Sequence, residues 1–322
     1  MTIVAGIDEA GFGPILGPLL VAATAWSVPD EQVEVSLWKL LAGAVSKKAS
    51  KRKGLLAIAD SKKLYGGQRN DDLGLLERGV LAVLAAAGHQ HATLGAFLRH
   101  VCPAAAGEVA GYPWYAHADP PLPAVVTALD VALTGNSLAV AMNRASVRLE
   151  AVRAECLFEN EFNRVVTATN NKSVSLFDVT CRLLMFLWRS FPGRDLRIFV
   201  DRQGGRMHYL PALERVFEGC RFGILDESDT LSAYRIQDGQ RTAEIHFAVQ
   251  AEDRCLPVAL ASMVCKYTRE LFMGLLNRFW EAHVPGLPHP GGYYADGWRF
   301  LKDIEPAAAK LSLDVRTLYR WR

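Results

Sequence analysis

Apolar residues fall along this chain in two rhythms. Ile3 and Val4 form a short apolar run, and residues 17–26 (GPLLVAATAW) form a second of strand length. The glycine-rich turn between them predicts a β-hairpin at the heart of a sheet. From 31 to 45 the spacing becomes helical, with Val33, Leu37, Leu40 and Leu41 on one face. A helix is predicted over roughly 69–87, and one or two more over 123–155, broken near Gly135-Asn136. Residues 88–122 lack clear periodicity and read as an irregular insertion, with His89 and His91 as surface histidines. Residues 156–169 look extended, and 173–190 are strongly apolar at helical spacing. The run Leu196-Arg197-Ile198-Phe199-Val200-Asp201 predicts a strand ending in an acid. A helix near 208–218, strands at 222–226 and 243–249, a long helix at 256–282 and short C-terminal helices complete the pattern. Strands interleaved with helices predict an α/β fold.

Composition narrows the classes. The chain has 322 residues, 50% hydrophobic, enough for one large core or a core plus a substantial insertion. Net charge is only +2, so nucleic-acid binding must rest on local patches. The basic run at 46–53 (SKKASKRK) reads as a solvated loop or a phosphate-contacting patch. Six cysteines without a CxxC pair fit a reduced, cytoplasmic protein. Asp8 and Glu9 interrupt the N-terminus too early for a signal peptide, and no apolar run suits a membrane.

The acid pair changes the picture most. Asp8 and Glu9 stand where the first strand should end, before Gly11-Phe12-Gly13-Pro14. Acids beside an apolar strand must be solvated, paired or metal-bound, and a divalent cation is the natural solution. The glycines let the backbone approach something bulky and charged. Asp201 ends a second strand, and in open α/β sheets sites gather at strand ends.

Four segments then share a likeness. GIDEAGFGPILGPLLVAA, ADSKKL, IFVDRQGG and EDRCLPVALASMVCKYTRE together resemble the type 2 ribonucleases H, in order and approximate spacing. The late GGYYADGWRFL is similar to the tyrosine-bearing motif of the archaeal and eukaryotic branch. The resemblance implies an RNase H-like fold, a central mixed β-sheet flanked by helices. It divides the chain into a discontinuous catalytic domain (1–64 and 156–290), a partly helical insertion (65–155) and a C-terminal helical segment (291–322).

The resemblance also implies an activity. Members cleave the RNA strand of RNA/DNA hybrids, or ribonucleotides embedded in duplex DNA, leaving 3′-hydroxyl and 5′-phosphate ends. They use four carboxylates and two divalent ions, Mg²⁺ or Mn²⁺. The matching positions are Asp8, Glu9, Asp201 and Glu270, with Asp8 as the shared ligand. Gly11, Phe12 and Gly13 would contact substrate, with Tyr293 packing on a deoxyribose and Tyr294 as fallback. Lys62, Lys63, Lys266 and Arg269 would contact phosphates. Two departures stand out. The family turn reads glycine–arginine–glycine or glycine–lysine–glycine, whereas position 12 here is phenylalanine. The fourth acid is usually aspartate, whereas position 270 is glutamate. These departures motivate two alternatives: a catalytically weak or inactive nucleic-acid-binding relative, and a nuclease for another structured duplex.

Overall fold

Alternation along the first apolar run builds the centre of the sheet. The computed structural model describes residues 1–49, 55–66, 70–116 and 118–321. In β1 (Thr2–Ala10), Ile3, Ala5 and Ile7 enter one core and Val4 the other. β1 pairs antiparallel with β2 (Leu19–Val28), with Asp8 opposite Ala22, so the expected hairpin is present and longer than its apolar runs. Then come α1 (Leu37–Leu40), a small pair β3 (Val45–Ser46) and β4 (Leu56–Ala57), α2 (Ser61–Leu64), α3 (Asn70–Ala86), α4 (Leu94–Val101), α5 (Pro103–Glu108) and α6 (Ala128–Ala145). Next are β5 (Arg148–Leu157), α7 (Glu159–Thr169), α8 (Lys172–Ser190), β6 (Leu196–Asp201) and α9 (Leu210–Val216). β7 (Arg221–Glu227), β8 (Leu231–Asp238), β9 (Arg241–Ala248), α10 (Leu256–His283) and α11 (Tyr294–Lys310) complete the order.

Seven strands form one mixed sheet in the order β5-β2-β1-β6-β9-β8-β7. β1, β6 and β9 run parallel, and the remaining pairs are antiparallel. α10 covers one face and contributes Leu260, Val264 and Phe272 to its core; α8 covers the other with Leu176, Leu183 and Leu187. Gly6 is the point of closest approach. A Cβ there would stand 2.1 Å from the Val258 backbone nitrogen, so only glycine admits the start of α10 against β1. Thr24 Oγ1 donates to the Pro257 carbonyl at 2.8 Å and fixes the same contact from β2.

Several elements differ from expectation. Residues 148–155, expected as helix, are strand β5, because pairing with β2 (Ala154 opposite Ala22) overrides local helical spacing. Residues 159–169, expected as extended, are helix α7, which buries Phe162 and Val166 one turn apart. β8 escaped the sequence pattern. α6 is unbroken at Gly135, where a Cβ would meet the Ala82 carbonyl at 3.1 Å; the glycine serves helix packing. Within 88–122, α4 and α5 replace the expected irregular chain. His89 is exposed, but His91 is half-buried, 2.9 Å from His100 and stacked on it. Of the basic run at 46–53, residues 50–53 lie outside the described residues.

Candidate active site

The hairpin and the parallel crossover bring three acids together. β1 and β6 pair in register, Ile7 opposite Val200, which sets Asp8 level with Asp201. One carboxylate oxygen from each of Asp8, Glu9 and Asp201 lies within 4.8 Å of the others. The Glu9 backbone N–H donates to Asp8 Oδ1 at 2.7 Å, and the Ala251 N–H donates to Asp201 Oδ1 at 3.1 Å. Ser262 of α10 favours the charged form of the Asp8 carboxyl, and Cys265 Sγ donates to the Asp8 carbonyl at 3.3 Å.

Crowding in a poorly solvated place opposes ionisation. Burial, then Glu9 and Asp201, push the Asp8 carboxyl well above its usual range. Burial, then Asp201, raise Glu9 to about 7, against the pull of Lys62. Burial raises Asp201 as well, although the Ala251 N–H favours its charged form.

A fourth acid stands here that the sequence pattern did not single out. Glu252, in the turn between β9 and α10, is buried, and its carboxyl feels that of Asp201. Burial and the Asp201 charge raise it to about 7. Its Oε2 is buried without a hydrogen-bond partner. The available signal was an acid just past the end of β9, the strand beside β6. This is the same signal that marked Asp8 and Asp201. An orphaned buried carboxylate oxygen, acids reluctant to ionise and an all-oxygen donor set together fit a hard divalent cation.

Glu270 lies elsewhere. It accepts from Lys266 Nζ at 2.6 Å, Tyr65 OH at 2.8 Å and Arg269 Nη1 at 3.2 Å. Burial opposes its charge, but Lys266 and Arg269 outweigh that and hold it below the usual carboxylate range. Lys266 is thereby committed to Glu270. Arg269, 3% exposed, is a strut: its Nη2 donates to the Leu16 carbonyl at 2.9 Å. Lys63 is paired with Asp253. Lys62 does belong to the site. Burial disfavours its charge, yet Asp60, Asp8, Glu252 and Glu9 raise its pKa above the ordinary lysine value.

The glycine loop is braced from several directions. Gly11 has φ +92°, and a Cβ there would meet the Pro18 carbonyl at 2.6 Å and the Arg269 side chain at 3.1 Å. Arg320, 2% exposed, donates to the carbonyls of Gly11 and Pro14, and its backbone N–H donates to the Ile15 carbonyl at 2.7 Å. Asn163 of α7 ties down the neighbouring Tyr319 carbonyl at 2.9 Å and the Trp321 N–H at 2.7 Å. The Ile15 N–H also donates to the Gly292 carbonyl, which brings Tyr293 beside the loop. Tyr293 is 64% exposed, and its Cε1 lies 3.7 Å from where a Gly13 Cβ would be. Phe12 packs against the core beneath α8.

Clustered acids at the C-terminal ends of adjacent parallel strands, in a mixed sheet opened by an antiparallel hairpin, define the ribonuclease H-like class of fold. Solved structures of that class are similar over nearly the whole chain. A mutant form of Bst-RNase HIII matches with a TM-score of 0.50 and 16% identity, covering 99% of this chain and 66% of that one. Bst-RNase HIII in complex with Mn²⁺ matches at 0.49 and 15%, again over 99% and 66%, and the ribonuclease H2 from Pyrococcus horikoshii OT3 at 0.48 and 15%, over 99% and 94%. The chain thus spans just under two thirds of the length of the RNase HIII proteins. At 16% identity the likeness to the mutant Bst-RNase HIII establishes the fold. No protein-family model and no curated protein matches the chain. Among the described residues, no helix is long and apolar enough to cross a membrane.

Proposed function

We propose that this chain is a metal-dependent endonuclease of the ribonuclease H type. Its substrate would be the RNA strand of an RNA/DNA hybrid, or ribonucleotides embedded in duplex DNA. The observation that carries this reading is the cluster of Asp8, Glu9 and Asp201, with Glu252 beside it. Asp8, Glu9, Asp201 and Glu252 would hold the divalent ions, two Mg²⁺ or Mn²⁺, with Asp8 shared. Glu252 takes the place that the sequence pattern suggested for Glu270. When bound, such ions supply a nucleophilic water at neutral pH and neutralise charge growing on the phosphoryl oxygens.

The chain's own residues supply the rest. Lys62, whose positive charge the acids reinforce, would pair with a phosphate entering the cluster. The braced backbone of Gly11 and Gly13 would meet the sugar–phosphate edge, and the Tyr293 ring would pack on the adjoining sugar. Lys266 and Arg269, both engaged by Glu270, would position the loop instead of touching substrate. Residues 65–147 would form the insertion, since β5 belongs to the sheet.

The test is cleavage of all-RNA/DNA, single-ribonucleotide and all-DNA duplexes with Mg²⁺ and with Mn²⁺. We expect cuts leaving 3′-hydroxyl and 5′-phosphate ends, and none in all-DNA. Asp8→Asn and Glu252→Gln should each lower the rate by at least about a hundredfold, and Glu270→Gln by about tenfold or less. An intact hybrid and an intact single-ribonucleotide duplex with both metals would sink the reading. Phe12, apolar in the middle of the loop, favours the second reading of binding without cleavage. Retained hybrid binding by uncleaving wild-type protein would support that instead.

A further inference from the structure

Two cations on the α8 side of the sheet rest on aromatic rings instead of carboxylates. Lys172 opens α8, and its Nζ lies 4.8 Å from the centre of the Phe12 ring. Arg206 lies in the loop after Asp201, with its guanidinium 4.2 Å from the centre of Phe177 and 5.7 Å from that of Tyr209. Among the described residues neither forms an ion pair. The contrast with Arg202, in the same loop, is plain. Arg202 is committed to the carbonyls of Asp229 at 2.6 Å and Ser228 at 3.1 Å, and to Ser232 Oγ at 2.9 Å.

The placement has physical consequences. A ring face attracts a cation without neutralising it, so both groups keep their full field toward solvent. A lysine at the first position of a 19-residue helix also opposes the helix dipole, a cost that an external anion would relieve. The supports are firm. Phe12 and Phe177 pack into one core, Tyr209 stacks on Phe247 at 3.6 Å, and Gln203 Nε2 ties the loop to Thr180 Oγ1 of α8 at 2.6 Å. One platform and one cation belong to the chain segments that leave the two level acids: Phe12, under Lys172, follows Asp8, and Arg206 follows Asp201. Lys172 and Phe177 are about 7.5 Å apart along the helix, close to the rise of two nucleotides on one strand, about 7 Å. Four acids would repel a polyanion, so its approach calls for unneutralised cations on the flank.

We propose that Lys172 and Arg206 form a phosphate grip on the α8 side of the site, with Phe12 as the platform that aims Lys172. The grip would hold nucleic-acid backbone just beyond the acid cluster, and it rests on the nuclease reading given above. Hybrid binding by the non-cutting Asp8→Asn protein across a salt series tests it, read by fluorescence anisotropy. Lys172→Gln and Arg206→Gln should each weaken binding several-fold and reduce the slope of log K against log salt by about 1. Phe12→Leu, checked for an unchanged unfolding midpoint, should mimic Lys172→Gln. Arg189→Gln, at the far end of α8, should leave the slope unchanged. Unchanged slopes for both Lys172→Gln and Arg206→Gln overturn the grip. Wild-type cleavage of the same hybrid is the separate readout. Cutting with unchanged slopes removes the grip alone, whereas lowered slopes without cutting keep the grip and remove the nuclease. A hybrid that does not bind at any salt removes both.

Discussion

Glu9 and Glu252 are acids that hold their protons to about pH 7, where a solvated glutamate lets go near 4.5. Burial is the main cause, and the Asp201 charge adds to it. Between those two pH values the folded chain binds more protons than the unfolded one, so metal-free stability falls as pH rises through that window. Asp8→Asn removes one of the mutually repelling charges. In EDTA it should stabilise the protein by about 1–3 kcal/mol at pH 8, and by much less at pH 5. Urea unfolding at the two pH values measures this, and a gain independent of pH would contradict the electrostatic account. Asp8, Glu9 and Asp201 were legible because an acid closing an apolar run is rare and costly. Glu252 carried the same signal, but the resemblance pointed to Glu270, at the end of the fourth matching segment. Which acid a cation has already claimed depends on side-chain directions across elements, and that is absent from a one-dimensional pattern.

At the scale of elements, the hairpin and α10 work as one unit. The hairpin was legible from two apolar runs around a glycine turn, and α10 from its long helical spacing. Their contact was not, because it is a backbone-to-backbone approach at Gly6 that leaves no side-chain signature. Gly6→Ala forces the start of α10 off β1 and moves Ser262 and Glu252 relative to Asp8. We expect a loss of roughly 3 kcal/mol or more, with metal affinity falling in parallel. A thermal melt with and without Mn²⁺ checks both, and a variant as stable as wild type would show that the helix has room to move. β5 and α7 resisted sequence reading for a related reason. Their local spacing is ambiguous, and partners far along the chain decide the outcome.

Across the whole molecule, a buried carboxylate couples α3 and the 124–126 segment to α10. Glu77 of α3 is fully buried and accepts from the N–H groups of Ala124, Val125 and Val126 at 2.7, 2.7 and 2.8 Å, and from Tyr267 OH of α10 at 2.9 Å. Four donors thus converge on one buried side chain. Glu77→Ala should cost about 4 kcal/mol or more, and Glu77→Gln distinctly less, because the amide oxygen still accepts. Denaturant midpoints of the two variants decide the matter; equal, small losses would mean that water replaces the carboxylate. The α/β class of the molecule was readable from alternating patterns. The strand order, which sets the two level acids side by side, was not readable, because parallel pairing leaves no mark on local sequence.

The brace on the glycine loop sets an order of events during synthesis. The β1–β2 hairpin needs only neighbouring residues and forms early. Arg320 and Gly11 are 309 residues apart, so this brace on the loop is made only after the ribosome has released residue 320. A nascent chain therefore carries its acid pair through those 309 residues of synthesis with this brace on the adjoining loop still unmade.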